Sequence, residues 1–393
     1  MTKKHSLKTR LSHLGRHGTH IHGLVNPPVH RGSTVLYKTM ADRDAHKGRW
    51  TEQVLTYGLD GNATHHALEN MVAAIEGGHH CQIVPTGLAA ITVPLMAYLK
   101  HGDHILFPDS FYGAGRGFAD RRLPQMGVEF TYYPPEIPAS ELEALIQPNT
   151  RVLYLESPGS YSFEMQDIAA LCALAKRRGL VTMLDNTWGI AAFQPFEHGI
   201  DVSIQALTKY VVGHSDVLLG GIVTADMAHH KIVRRCALDL GMYASPDDCW
   251  LALRGGRTMM VRLDRQLESA LEVTSYLATR PEVAEVRYPP LPGSVGHELW
   301  KRDFNGGASL FGVVFDPKYS REQVYAMVDN LALFGIGASW GGYESLALPA
   351  GDNIGRHFGS TYKPGEVVRF HIGLEDTADL IADLTASMEA HLR

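Results

Sequence analysis

The sequence predicts an α/β protein, with a mostly parallel, doubly wound central sheet and a smaller α+β unit after it. Two observations predict this. Between about residues 64 and 250, short apolar runs alternate with helical patterns of ten residues or more, the rhythm of parallel strands joined by crossover helices. After about 250 the alternation gives way to a long amphipathic helix and a few strands. The chain has 393 residues, more than one small core holds at about 150 residues per domain. It divides into an extended arm (1–57), a large domain (58–250) and a C-terminal α+β domain (251–393).

The elements follow in order. Residues 1–57 are polar and broken by "NPP" and several glycines, so the arm has few regular elements. "ATHHALENMVAAIEG" has helical apolar spacing and stops at Gly77–Gly78, a C-cap signal. "CQIVPTG" is a strand ending in a turn, and "LAAITVPLMAYLK" a buried helix closed by "HGD". The runs "HILFPD", "GVEFTYY" and "RVLYLESP" are strands, followed by the helix "MQDIAALCALAKRRG". Three more strands are "LVTMLDNT", "DVSIQAL" and "GGIVTA". In the last domain, "RTMMVRLDRQLESALEVTSYLAT" is the long helix. The strand "ASLFGVVFD", the helix "REQVYAMVDNL" and a final strand "VVRFHIGL" complete it. There is no internal repeat and no low-complexity tract.

Composition excludes several functions. Hydrophobic residues make up 45% and charged residues 20%, an ordinary globular balance. A net charge of −6 gives no basic footprint for nucleic acid and no polybasic membrane patch. No apolar run approaches the roughly 18 residues of a membrane span. The basic start "MTKKHSLKTR" lacks the apolar segment of a secretory signal. The four cysteines, 81, 172, 236 and 249, stand alone, which points to a reducing cytoplasm. The motif "HIH" (His20, His22) and the pairs His65–His66, His79–His80 and His229–His230 lack companion acids at ligand spacing, so no metal is expected.

The candidate chemistry lies at strand ends, where open α/β sheets bind ligands. "PTGLAA" feeds a helix N-terminus at Gly87, whose free N–H groups suit a phosphate, although glycine there also serves a tight turn sterically. Asp185 ends "VTMLD", and Lys209 ends its own run 24 residues later (209 − 185). These two form either a plain ion pair or the two poles of a cofactor. Pyridoxal phosphate needs a lysine for its Schiff base, a carboxylate for its pyridine nitrogen and a helix N-terminus for its phosphate. All three occur in order, and Thr208 places a hydroxyl beside the lysine.

The stretches "YGLDGNATHHALE", "PTGLAAI", "ESPGS", "LDNTW", "DVSIQALTKYVVGHSD", "SWGGYESL" and "RFHIGLED" resemble the Cys/Met-metabolism family of pyridoxal-phosphate enzymes, from about residue 25 to the C-terminus. The resemblance implies the fold-type-I transferase architecture, like aspartate aminotransferase. Three features look most like the branch of bacterial cystathionine β-lyases. Ala206 stands where γ-acting relatives usually carry serine, "ESPGS" stands where they usually read "ESPTNP", and "PLPGSVGHELWKRDF" echoes a stretch of that branch. The implied activity is β-elimination of L-cystathionine to homocysteine, pyruvate and ammonia, a step of methionine biosynthesis. A γ-acting lyase or transferase of the same family and a non-catalytic pyridoxal-phosphate binder are the alternatives.

The resemblance also implies roles. Lys209 holds the cofactor and shuttles protons, Asp185 pairs the pyridine nitrogen, and Tyr112 stacks on the ring and assists catalysis. Gly87 and Leu88 offer backbone N–H groups to the phosphate, Thr208 its hydroxyl, and Tyr57 reaches it from a neighbouring subunit. Arg369 clamps the substrate carboxylate, with Ser339 and Trp340 beside it. The implied assembly is a homo-oligomer, a tetramer built from active dimers. Two positions depart from the family pattern. Leu59 stands where the family carries a phosphate-binding arginine, and Leu207 where it carries a small residue. Arg116, four residues beyond Tyr112 in a glycine-rich loop that should border the pocket, is the first candidate to replace that arginine, and His65 or His66 the second.

Overall fold

A computed structural model of the chain describes residues 5–16, 23–351 and 354–393, so His20 and His22 lie outside the described residues. The arm holds α1 (Leu7–His13) and α2 (Met40–His46). The chain then runs through α3 (Ala63–Glu76), β1 (His80–Val84), α4 (Gly87–Tyr98), β2 (His104–Pro108), α5 (Gly113–Arg122), β3 (Glu129–Tyr133), α6 (Ala139–Leu142) and β4 (Thr150–Glu156). Next come α7 (Ile168–Arg178), β5 (Val181–Asp185), β6 (Val202–Gln205), β7 (Gly220–Thr224), α8 (Met227–Asp239) and α9 (Pro246–Leu277). The last part holds β8 (Val283–Arg287), α10 (His297–Asp303), β9 (Leu310–Phe315), α11 (Arg321–Asp329), β10 (Gly335–Ile336), β11 (Leu346–Pro349), β12 (Val367–His371) and α12 (Thr377–His391).

The expected α/β architecture is present. Seven strands form one sheet in the order β1-β7-β6-β5-β4-β2-β3. β6, β5, β4, β2 and β3 run parallel, while β7 is antiparallel to both its neighbours. A strand alternates its side chains between two faces, and here both faces are apolar. Val152, Tyr154, Val202 and Ile204 pack on one side, with residues of α4, α5 and α8. Leu153, Leu155, Leu184 and Val223 pack on the other, with residues of α3, α7 and α9. A second sheet, β10-β11-β12-β9-β8, follows.

The helix ends obey their local chemistry. Gly77 closes α3 at φ +76°, as the C-cap signal predicts. Thr86 caps α4 by accepting from the Ala89 N–H.

Four readings change. The long helix starts at Pro246, eleven residues before Arg257 (257 − 246), because Ser245 caps it and proline occupies its first turn. It therefore runs through residue 250. The strand read through Leu207 stops at Gln205, where the Ala206 N–H turns to Thr187 Oγ1. β12 is not the last element, since α12 follows, capped by Asp376. The glycine-rich stretch after Tyr112 is helix α5, in which Gly115 leaves room for the Phe111 ring, 2.5 Å from where a Cβ would sit.

Candidate active site

The carboxyl ends of β4, β5 and β6 open onto a cavity of about 250 Å³. Gly87, Leu88, Tyr112, Asp185, Thr208, Lys209, Trp340 and Arg369 all line it. These are the expected site residues save Tyr57 and Ser339.

Lys209 lies in a turn beyond β6, not at its end. Its N–H donates to Ala206 O at 3.0 Å and its carbonyl accepts from Gly213 N at 2.8 Å. Gly341 packs against this turn at φ +87°. A Cβ there would lie 2.9 Å from Lys209 Cα, so only glycine fits. The Lys209 amine donates to Ser339 Oγ at 2.6 Å and lies 5.3 Å from the centroid of the Trp340 ring. Burial, and then the positive charge of Arg369, bring its pKa down to about 8. Ser339 itself is in the left-handed region, at φ +79°, where a non-glycine residue costs of order 1–3 kcal/mol. Its carbonyl accepts from Arg369 Nη2 at 3.1 Å. Ser339 thus joins the site without lining the cavity.

Asp185 ends β5 as read. Its Oδ1 accepts from the Thr187 N–H at 3.0 Å and the Thr187 hydroxyl at 2.6 Å. Burial nevertheless holds its carboxyl above the usual range. The register partner of Asp185 on β4 is Glu156, which burial and then Asp185 also push upward. Two acids side by side in this setting want a cation. A protonated pyridine nitrogen meets that requirement, and the start of α4, on the same cavity, meets the phosphate's. The N–H groups of Gly87 and Leu88, at the start of α4, donate to no acceptor among the described residues. Thr208 adds a hydroxyl there, which accepts from Leu219 N at 2.8 Å; its one proton, given to Leu219 O at 3.2 Å, would turn to a phosphate. The residues present therefore fit pyridoxal phosphate.

Glu156 and Tyr161 were not read as site residues, although Glu156 opens the quoted "ESPGS". Glu156 Oε2 accepts from the Tyr112 N–H at 2.8 Å and Oε1 from Ser160 Oγ at 2.7 Å. It thereby fixes where the Tyr112 ring, 43% exposed, meets the cavity. Burial, then Asp185 and Glu156, push the Tyr112 phenol up and keep it protonated.

Tyr57 lies elsewhere. With Leu59, Arg31 and Tyr243 it lines a separate concavity of about 590 Å³, and it is 55% exposed. The expectation that Arg116 borders the cofactor pocket is corrected. Its guanidinium donates to the carbonyl and carboxylate of Asp109 at 2.9 and 3.0 Å and stacks over Tyr132. Buried Asp109, with no exposed side chain, draws it away from the cavity. His65 and His66 are also unsuited, because burial lowers both pKa values, His66 to about 4, so neither carries charge at neutral pH. Among the described residues, Lys209 and Arg369 are the only cationic side chains in the lining. Among the described residues, no group of three or more His, Cys, Asp or Glu is placed to hold a metal ion.

A family model described as "Cys/Met metabolism PLP-dependent enzyme" matches residues 8–389. The chain is 41% identical to "Cystathionine beta-lyase" of Bordetella avium, covering 93% of this chain and 92% of that one. It is 39% identical to "Cystathionine beta-lyase MetC" of Escherichia coli, covering 97% of each. It is also 37% identical to "L-alanine/L-glutamate racemase" of Wolbachia pipientis, covering 95% and 94%. Among solved structures, metB from Corynebacterium glutamicum superposes with a TM-score of 0.90 at 29% identity, covering 98% of both chains.

Proposed function

The chain belongs to the Cys/Met-metabolism PLP-dependent enzyme family, and we propose that it catalyses the β-elimination of L-cystathionine to homocysteine, pyruvate and ammonia. The observation that carries this is one cavity shared by the Lys209 amine, the Asp185 carboxyl and the Arg369 guanidinium. The full-length relatives named cystathionine β-lyase support the substrate.

When bound, pyridoxal phosphate supplies the electron sink that stabilises a carbanion at the substrate Cα. Asp185 would hold the ring nitrogen protonated, with Thr187 fixing the carboxylate. Gly87, Leu88 and Thr208 would hold the phosphate. Arg369 takes the substrate's α-carboxylate on the guanidinium N–H groups that Ser339 leaves free, and a bidentate fit suits it. Lys209 removes the Cα proton. With a pKa of about 8 it serves as base near neutral pH far better than an ordinary lysine, and better than Tyr112, whose phenol is held protonated. The Cβ–S bond then breaks, and Lys209 returns its proton to the departing sulfur. Water hydrolyses the three-carbon fragment to pyruvate and ammonia. Tyr112 would stack on the ring, and Trp340 would wall the carboxylate end.

Tyr57 completes the phosphate site from a second copy, so the working unit is a homodimer, paired into a tetramer. The four cysteines are free, which supports a cytoplasmic setting. No helix among the described residues is long and apolar enough to cross a membrane.

Incubation of the holoenzyme with L-cystathionine tests the reading. Pyruvate with homocysteine supports it. A 2-oxobutyrate product means γ-elimination and overturns it. The racemase relative favours one second reading, proton return at Cα without loss of a group, and loss of optical rotation in L-alanine with no pyruvate from cystathionine would establish that instead.

A further inference from the structure

Arg369 is almost buried, 9% exposed, yet among the described residues its guanidinium makes one hydrogen bond, to Ser339 O. One bond does not fix a planar group that rotates about its stem. A second contact does. The ring of Tyr161 lies under the guanidinium, with Cζ 4.9 Å from the ring centroid. Tyr161 lines the same cavity.

The chain is bent specially to put the ring there. Tyr161 is left-handed at φ +65°, and Phe163, two residues on, at φ +55°. Bulky residues rarely adopt this region, and an observed outlier at a cavity wall points to function. The segment packs against β9 at Gly312, the register partner of Arg369 on β12. A Cβ on Gly312 would sit 3.0 Å from Tyr161 O and 3.2 Å from the Phe163 ring. Gly312 thus admits the strained segment directly beside the arginine.

We propose that Tyr161 is a positioning residue for Arg369, which holds the guanidinium flat on its ring face and so sets the affinity for the substrate carboxylate. This rests on the reading of Arg369 as the carboxylate clamp. The contribution comes from the ring face, not the hydroxyl. A cation over an aromatic face in a desolvated site is worth about 5- to 30-fold in binding.

The experiment compares glycine with glycinamide, which lacks the carboxylate, as ligands of the holoenzyme. Dissociation constants are read from the cofactor's absorption change, and each variant's melting temperature is recorded. Arg369→Lys is the control for the underlying reading, and it should abolish the preference for glycine. If it does not, the clamp reading fails, and the proposal with it. With that control satisfied, Tyr161→Leu should weaken glycine about 5- to 30-fold and leave glycinamide unchanged, while Tyr161→Phe stays within about twofold of the parent. Tyr161→Gly removes the ring without adding backbone strain, and it serves if Tyr161→Leu does not fold. Equal weakening of both ligands means a merely structural role and overturns the proposal. So does a Tyr161→Phe enzyme as weak as Tyr161→Leu.

Discussion

The Lys209 amine donates to Ser339 Oγ across 2.6 Å, although the two residues are 130 positions apart. Lys209 sits on the turn after β6, and Ser339 on the segment before β11, so this bond ties the second sheet to the carboxyl ends of the first. Ser339 also accepts from Arg369 through its carbonyl. One strained residue therefore sets the spacing between the base and the carboxylate clamp.

Lys209 must be unprotonated to capture the cofactor's aldehyde. Its pKa of about 8 lies below the ordinary lysine value because burial and Arg369 disfavour the charge. The neutral fraction rises with pH and levels off above about 8. The rate of cofactor uptake by the cofactor-free protein should follow that curve, rising about tenfold from pH 6 to pH 7. Lys209→Ala should keep the fold, lose elimination and lose the rise. Borohydride treatment of the holoenzyme followed by peptide mapping should place the cofactor on Lys209, and label on another lysine would sink the assignment.

The sequence made the poles of the site legible and hid its connections. Asp185 and Gly87 are readable because strand ends and helix starts have local signatures. Lys209 was legible beside Asp185 as the second pole, while the family motifs supplied Arg369 and Ser339, which no local signal brings to it. Glu156 and Tyr161 were missed for different reasons. Glu156 acts through the Tyr112 backbone, which has no sequence pattern. Tyr161 depends on a left-handed backbone and on Gly312, 151 residues away (312 − 161). α5 was hidden because three of its ten residues, Gly113, Gly115 and Gly117, read as loop. Arg116 illustrates the converse. Its spacing from Tyr112 suggested the cavity, but buried Asp109 claims it.

Tyr57 makes assembly testable. It is exposed and does not line the cavity, so the phosphate contact implied by the family resemblance would come from a second copy. Light scattering at assay concentration should show a dimer or a tetramer. Mixing an excess of inactive Lys209→Ala protein with an inactive Tyr57→Ala protein should restore activity, because mixed dimers hold one complete site. A fully active monomer would overturn the trans assignment.

Leu59 shares the Tyr57 concavity, and among the described residues no cation other than Lys209 and Arg369 lines the cofactor cavity. Leucine at 59 cannot give the phosphate the charge-assisted bond that an arginine there would give, worth about 1.5–3 kcal/mol. Leu59→Arg should slow cofactor loss and tighten binding by about tenfold or more at about 1.4 kcal/mol per decade. Arg116→Ala should leave cofactor affinity within about twofold. It should instead lower the melting temperature, since the buried Asp109 carboxylate would lose its guanidinium partner and keep only its bonds to His357 and Phe358. Ready cofactor loss from Arg116→Ala, with no gain from Leu59→Arg, would reinstate Arg116 as the compensating cation.

Glu76 sets a pH dependence of stability. It lies on α3 with no exposed surface. Its carboxylate accepts from Ser203 Oγ at 2.6 Å and from Asn186 Nδ2 at 3.0 and 3.2 Å. Burial outweighs those bonds and brings its pKa up to about 7, from 4.5 for the exposed group. Between those two values the folded chain holds a proton that the unfolded chain has released. Stability therefore falls as pH rises through this window, by roughly 3 kcal/mol in all at about 1.36 kcal/mol per pH unit, and the fall ends near pH 7. The contribution is fully present below about pH 4.5. Glu76→Gln keeps the shape, removes the titration and brings an amide donor near the Asn186 and Gln205 oxygens that lack partners. Its melting temperature should gain on the parent's steadily from pH 5 to pH 7 and hold that gain at pH 8. Melting curves that shift in parallel across this range would show that Glu76 stays ionised in the fold.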